Sequence, residues 1–177
     1  MSVLKENGEQ LLRNYGETAF PPSVTEVAGG IHHVVGYAHS NSIIIEAESS
    51  VILIDACETD SRAERLKEII AGITEKPVKT LIYTHWHPDH RGGAGAFADT
   101  VEEVIAFAPM RPMLGRSEEL SDVKRLRSTY QFGYCLSDAE VLTQGLGPRE
   151  GIAVNVNRKV DHRANPKVDH PSMGYER

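Results

Sequence analysis

The run Thr84-His85-Trp86-His87-Pro88-Asp89-His90-Arg91-Gly92-Gly93 follows directly on the apolar stretch Thr80-Leu81-Ile82-Tyr83. Three imidazoles and one carboxylate fall within six residues, where a strand runs out into a tight loop. Successive side chains of an extended segment alternate sides, so His85 and His87 share one side and two nitrogens can converge on one ion. Asp89 and His90 sit on the turn that follows and can face a second ion beside the first. Neutral imidazole and carboxylate are the ligand set zinc prefers, and iron or manganese also accepts it. A polar loop that happens to be rich in His is the competing reading. It explains less, because a buried His or Asp costs energy unless paired or coordinated. The same alternation turns Trp86 and Pro88 away from the ligands, toward packing.

Outward from this loop the pattern alternates strand and helix. Val24 to Ala28 and Ile31 to Tyr37 read as strands separated by Gly29-Gly30. Ile43 to Ala47 and Val51 to Asp55 follow as a hairpin across Glu48-Ser49-Ser50. Ala63, Leu66, Ile70 and Ile73 recur at helical spacing, which predicts a helix from Asp60 to Glu75, with Ser61 and Glu64 as a capping box. Val78 to Thr84 is the strand that enters the loop, Ala94 to Phe97 a short helix, and Val101 to Phe107 a further strand. Residues 1–22 are a polar lead-in closed by Pro21-Pro22. This order is an α/β pattern, one sheet covered by helices. Ser117 to Phe132 is charged and helical, with Leu120, Val123, Leu126 and Tyr130 on one face.

His85-x-His87-x-Asp89-His90 with Gly92-Gly93 behind it resembles the metal-binding signature of the metallo-β-lactamase-fold hydrolases. The segments Ser42-Ile43-Ile44-Ile45-Glu46 and Val51-Ile52-Leu53-Ile54-Asp55 are similar to that family's opening strand pair. The resemblance implies an αββα sandwich, of which residues 23–154 hold the N-terminal half plus a helical insertion. It also implies zinc as cofactor, one or two ions held by His85, His87, Asp89 and His90. Asp89 would orient a metal-activated water. Asp55, at the neighbouring strand end, is placed either to hold a ligand from behind or simply to form the turn that ends its strand. Arg125 to Gly133, Gly145-Leu146-Gly147 and Gly30 to Tyr37 resemble the alkylsulfatase branch, which implies a sulfate ester with a hydrophobic chain as the small-molecule substrate. Arg125, Arg127 and Tyr130 could then meet the sulfate, or the arginines could form a solvated helix face. The family's remaining ligands lie well downstream, and no stretch here matches them. Two alternatives therefore stay open: another hydrolase of the same fold, acting on a lactone, thioester, phosphodiester or β-lactam, and a truncated, non-catalytic metal-binding remnant. Half a sandwich would also leave an apolar face open to self-association.

With 177 residues there is room for one ordinary domain. A net charge of −6 argues against nucleic acid as a partner. No apolar run approaches membrane-spanning length, and the first ten residues lack the pattern of a signal peptide, so a cytoplasmic protein is expected. Cys57 and Cys135 have no zinc-finger or redox spacing; Cys57 reads as a small buried thiol close to the metal loop. The stretch 155–177 is polar and reads as a solvated, disordered tail, with His162 and His170 in no ligand spacing.

Overall fold

The computed structural model describes residues 8–107 together with Val123, Leu126, Arg127 and Tyr130. Arg125, Cys135, Gly145 to Gly147, most of the expected helical insertion and the tail with His162 and His170 lie outside the described residues. Helix α1 spans Gly8–Thr18, and strands β1 (Ser23–Ala28), β2 (Ile31–Val35), β3 (Ser42–Glu46) and β4 (Val51–Ile54) follow it. Next come α2 (Asp60–Ile73), β5 (Val78–Ile82), α3 (Pro88–Arg91), a single 3-10 turn (Ala94–Phe97) and β6 (Glu103–Ile105). All six strands form one sheet in chain order. Neighbours from β1 to β4 are antiparallel, whereas β4–β5 and β5–β6 are parallel. The change of sense falls where the connections lengthen, because parallel neighbours need a crossover and α2 supplies the first one.

Alternation sets the two faces of the sheet. Val34, Ile44, Val51, Leu53, Leu81 and Val104 are buried on one face, with Ala63, Leu66 and Ile70 of α2 and Ala94 and Phe97 completing that core. The spacing 63, 66, 70 is the helical stripe expected, and each buried leucine or isoleucine contributes about 1.5–3 kcal/mol relative to exposure. On the opposite face Ile43, Ile45, Ile52, Ile54, Ile82 and Ile105 are only half-buried. Strand β1 is exposed along its whole length.

Four expectations need correction. The lead-in contains a helix: Leu11, Leu12 and Tyr15 recur at helical spacing, and Tyr15 meets Phe20 edge-on at 6.1 Å between centroids. The cap of α2 is Thr59, not Ser61. Thr59 holds extended angles (φ −139°, ψ 157°) and its hydroxyl accepts from the Arg62 amide at 3.2 Å, so Thr59 is the cap and Ser61 lies inside the helix. Strand β2 stops at Val35 because Gly36 turns to φ +77°, hard against the carbonyls of Phe20 and Pro21. Of the helical stripe in the expected insertion, Val123, Leu126 and Tyr130 are exposed rather than packed (59%, 60% and 85%). No helix among the described residues is long and apolar enough to cross a membrane.

Candidate metal centre

Because β4 and β5 run parallel, with Ile54 beside Ile82, the residues that leave both strands emerge side by side. Asp55 leaves β4 with its amide bonded to the Ile82 carbonyl at 2.9 Å and its backbone in the left-handed region, φ +59°. Aspartate is among the few non-glycine residues that enter this region readily. The turn aims a buried carboxylate at the start of the loop after β5. Its Oδ1 accepts from the Thr84 amide at 2.9 Å, and its Oδ2 accepts from the Thr84 hydroxyl and from His90 Nδ1, both at 2.7 Å.

That last bond decides which His90 nitrogen faces the site. With Nδ1 given to Asp55, Nε2 points the other way and lies 3.2 Å from Asp89 Oδ2. Burial lowers the His90 imidazole, but Asp55 and Asp89 outweigh it and hold its pKa up at about 9. Burial would likewise raise the Asp89 carboxyl; the His90 imidazole outweighs burial and holds it at about 2. His85 is lowered by partial burial, then by the neighbouring His90 and His87 rings.

His85 and His87 form the second pair. Their Nε2 and Nδ1 atoms stand 3.0 Å apart, with rings edge-on at 4.7 Å, and the His85 ring lies over His90 at 3.9 Å between centroids. Two donors bound tetrahedrally to one zinc at 2.0–2.1 Å must lie about 3.3 Å apart. The separations of 3.0 Å in the His85–His87 pair and 3.2 Å in the Asp89–His90 pair are close to that edge. As they stand these contacts are a hydrogen bond and an ion pair; the donor chemistry and their spacing are compatible with zinc, two ligands at a time. Among the described residues, no group of three His, Cys, Asp or Glu side chains could hold a metal ion. A catalytic zinc commonly takes three protein ligands, so each pair is one donor short.

Backbone packing fixes the loop from beneath. The Ala56 amide donates to the His90 carbonyl at 2.7 Å, the Gly93 amide to Cys57 at 3.2 Å, and the Ser40 hydroxyl to the Asp89 carbonyl at 2.5 Å. A Cβ on Gly93 would collide with the carbonyl oxygens of Ala56 and Thr59 and with the Ala63 methyl, and one on Gly92 with the Glu58 carbonyl. The two glycines are thus demanded by close approach. Glu58, fully buried, accepts from the His39 amide at 3.1 Å and ties the loop after β2 to the same corner. Nothing in the spacing of Ser40 or Glu58 marks them as parts of this corner; the pairing of the strands brings their segments to it.

Asp55 is bonded to His90 Nδ1 and also forms the left-handed turn at the end of β4. Cys57 is buried, with its thiol pushed up to about 12 by burial and then by Glu58, so it is a packed thiol at neutral pH. Trp86 packs against the core with its ring edge on His87 at 4.6 Å, and Pro88 opens α3. Arg127 and Tyr130 are helical and exposed.

A linear primary-alkylsulfatase of Pseudomonas sp. is 31% identical over 114 residues, covering 59% of this chain and 22% of that protein. An alkyl/aryl-sulfatase of Saccharomyces cerevisiae is 34% identical over 120 residues, covering 63% of this chain and 19% of that protein. The chain thus spans about a fifth of the length of these curated relatives. Among solved structures, a stereoselective inverting sec-alkylsulfatase from Pseudomonas sp. superposes with a TM-score of 0.52 at 26% identity, over 62% of this chain and 19% of that one. The family model of the metallo-beta-lactamase superfamily matches residues 35–163, well over half the chain. With a mixed sheet, paired donors at the ends of its strands and a family match across both, this chain belongs to the metallo-beta-lactamase superfamily.

Proposed function

We propose that this chain carries the N-terminal part of the metal centre of an alkylsulfatase-like hydrolase, with zinc as the metal and a sulfate ester bearing a hydrophobic chain as substrate. The observation that carries the reading is the spacing of the two donor pairs, 3.0 Å for His85–His87 and 3.2 Å for Asp89–His90. The alkylsulfatase relatives, 31% and 34% identical, supply the substrate class. His85 Nε2 and His87 Nδ1 would hold one ion, Asp89 and His90 Nε2 the other. Zinc, when bound, supplies Lewis acidity and a hydroxide-like nucleophile at neutral pH.

The chain's own residues do the rest. Asp55 accepts from His90 Nδ1, which leaves Nε2 free of its proton in the neutral ring and turned to the site. Asp89, held at a pKa of about 2, stays ionised throughout the working range and is a weak base. Its role on this reading is to orient a water by accepting its hydrogen bond, not to keep the water's proton. Arg125, Arg127 and Tyr130 would meet the sulfate group.

Metal analysis of chain purified without chelator, combined with hydrolysis of a medium-chain alkyl sulfate with and without chelator, tests the proposal. His87→Ala should lose zinc and activity together. A chain that retains no zinc would refute the metal centre. Turnover of thioesters or lactones with no action on alkyl sulfates would move the chain to another branch. A thioesterase reading has its own support: an atrochrysone carboxyl ACP thioesterase of Aspergillus fumigatus is 32% identical over 72 residues.

A further inference from the structure

Arg91 is the largest fully buried side chain among the described residues, at 0% exposure. A guanidinium is rarely buried without a partner for its charge and its donors. Its Nε donates to the carbonyl of Trp86 at 2.8 Å, across the base of the donor loop. That carbonyl belongs to the peptide unit between Trp86 and His87, and so to the stretch that separates the two imidazoles of the first donor pair.

We propose that Arg91 is a positioning residue for the His85–His87 pair. The proposal rests on the zinc reading given above. Other parts of the loop have fasteners of their own: Thr84 is bonded to Asp55, the Asp89 carbonyl to Ser40, and the His90 carbonyl to the Ala56 amide. Arg91 adds one to the stretch between the two histidines. Rotating the Trp86–His87 peptide plane swings the His87 Cα–Cβ bond relative to His85 and opens the 3.0 Å gap between Nε2 and Nδ1. A planar guanidinium enclosed by protein restrains that rotation, because its fork is rigid and it has no water to turn to. A side chain that served only to fill the core would hold the fold without setting this gap.

The test compares wild-type chain, Arg91→Met, Arg91→Lys and a core control, Val104→Ala in β6, all stripped of metal. Zinc affinity is measured by competition with a chromophoric chelator. The visible absorption of the cobalt-loaded proteins is recorded at saturating cobalt, and circular dichroism reports folding. Arg91→Met should weaken zinc binding by roughly tenfold or more, the range typical when a residue supporting a metal ligand is lost, and should change the cobalt spectrum. Arg91→Lys keeps the charge and one donor and should recover part of the affinity. Val104→Ala should leave affinity and spectrum as in wild type. A folded Arg91→Met with affinity within twofold of wild type and an unchanged cobalt spectrum would overturn the proposal. Should Arg91→Met fail to fold, Arg91→Lys decides by the same two readouts. A loss of affinity in Val104→Ala equal to that in the arginine variants would also overturn it. Wild-type chain that takes up neither zinc nor cobalt would refute the metal centre itself, a separate failure.

Discussion

Replacing Asp55 by Ala removes three hydrogen bonds at once, from the Thr84 amide at 2.9 Å and from the Thr84 hydroxyl and His90 Nδ1 at 2.7 Å each. Bonds to an ionised acceptor contribute about 1.5–3 kcal/mol each, but three that share one carboxylate are not additive. The loss of one partner from a buried charged pair costs about 3–5 kcal/mol, and that range is expected for the metal-free chain at pH 7. Backbone strain adds to it, since alanine accepts φ +59° less readily than aspartate. Two companions separate the terms. Asp55→Gly relieves the strain and keeps only the loss of bonds. Asp55→Asn keeps an acceptor for the Thr84 amide and a tolerance for the left-handed backbone, so it should cost less than half as much as Asp55→Ala. Urea denaturation of the four chains gives the values directly. A cost below about 1 kcal/mol for Asp55→Ala would show that the carboxylate does not organise this corner.

Gly93→Ala should destabilise the chain by at least 2 kcal/mol or prevent folding, because the new methyl meets backbone oxygens that cannot step aside; Gly72→Ala, with open space around it in α2, should stabilise by about 0.5–1 kcal/mol, and thermal melts of the pair check both. The Glu46 carboxyl is held below its ordinary value by a hydrogen bond from His32, 3.0 Å away, so the stability it contributes is present above the unfolded carboxyl's pKa and lost as pH falls through the lowered folded value. Urea curves at pH 7 and in mild acid should therefore show wild type losing stability that Glu46→Gln never had; equal acid sensitivity in the two would refute the pairing. The half-buried isoleucine face of Ile43, Ile45, Ile52, Ile54, Ile82 and Ile105 should drive self-association of the purified chain, and a monomer by light scattering at high concentration would contradict this.

Much of the fold was legible in the residues. The β3–β4 hairpin, the stripe Ala63, Leu66, Ile70 and the strand from Val78, which ends at Ile82 rather than at Thr84, follow from periodicity, and periodicity reports burial on one face. The sequence shows that His85, His87, Asp89 and His90 lie close together, but the orientation of His90 depends on Asp55, which no local pattern ties to the loop. Element ends were harder to see. Gly36 stops β2 by turning to φ +77° where Phe20 and Pro21 leave no room for a Cβ, and the cap of α2 fell to Thr59 because its backbone is the extended one. Helix α1 was missed because Leu11, Leu12 and Tyr15 are too few and too exposed to stand out from a polar segment. The supports of the site were the least legible part. Ser40 lies 49 residues from its partner Asp89, and no local pattern encodes a contact across that distance.

The parallel pairing of β4 with β5 bears on whether the donor motif can be moved. All four donors sit on one short peptide, which suggests a portable metal cassette. Their alignment depends on Asp55, 29 residues upstream of Thr84 and beside it only because two strands end at the same level. A graft of Thr84 to Gly93 into another scaffold would transfer ligands without the carboxylate that selects the His90 nitrogen. A recipient scaffold needs a strand parallel to the donor strand, ending in an acidic residue free to turn left-handed. By that criterion the transplantable unit is β4-α2-β5 with its two exits, and the ten-residue motif is only its visible end.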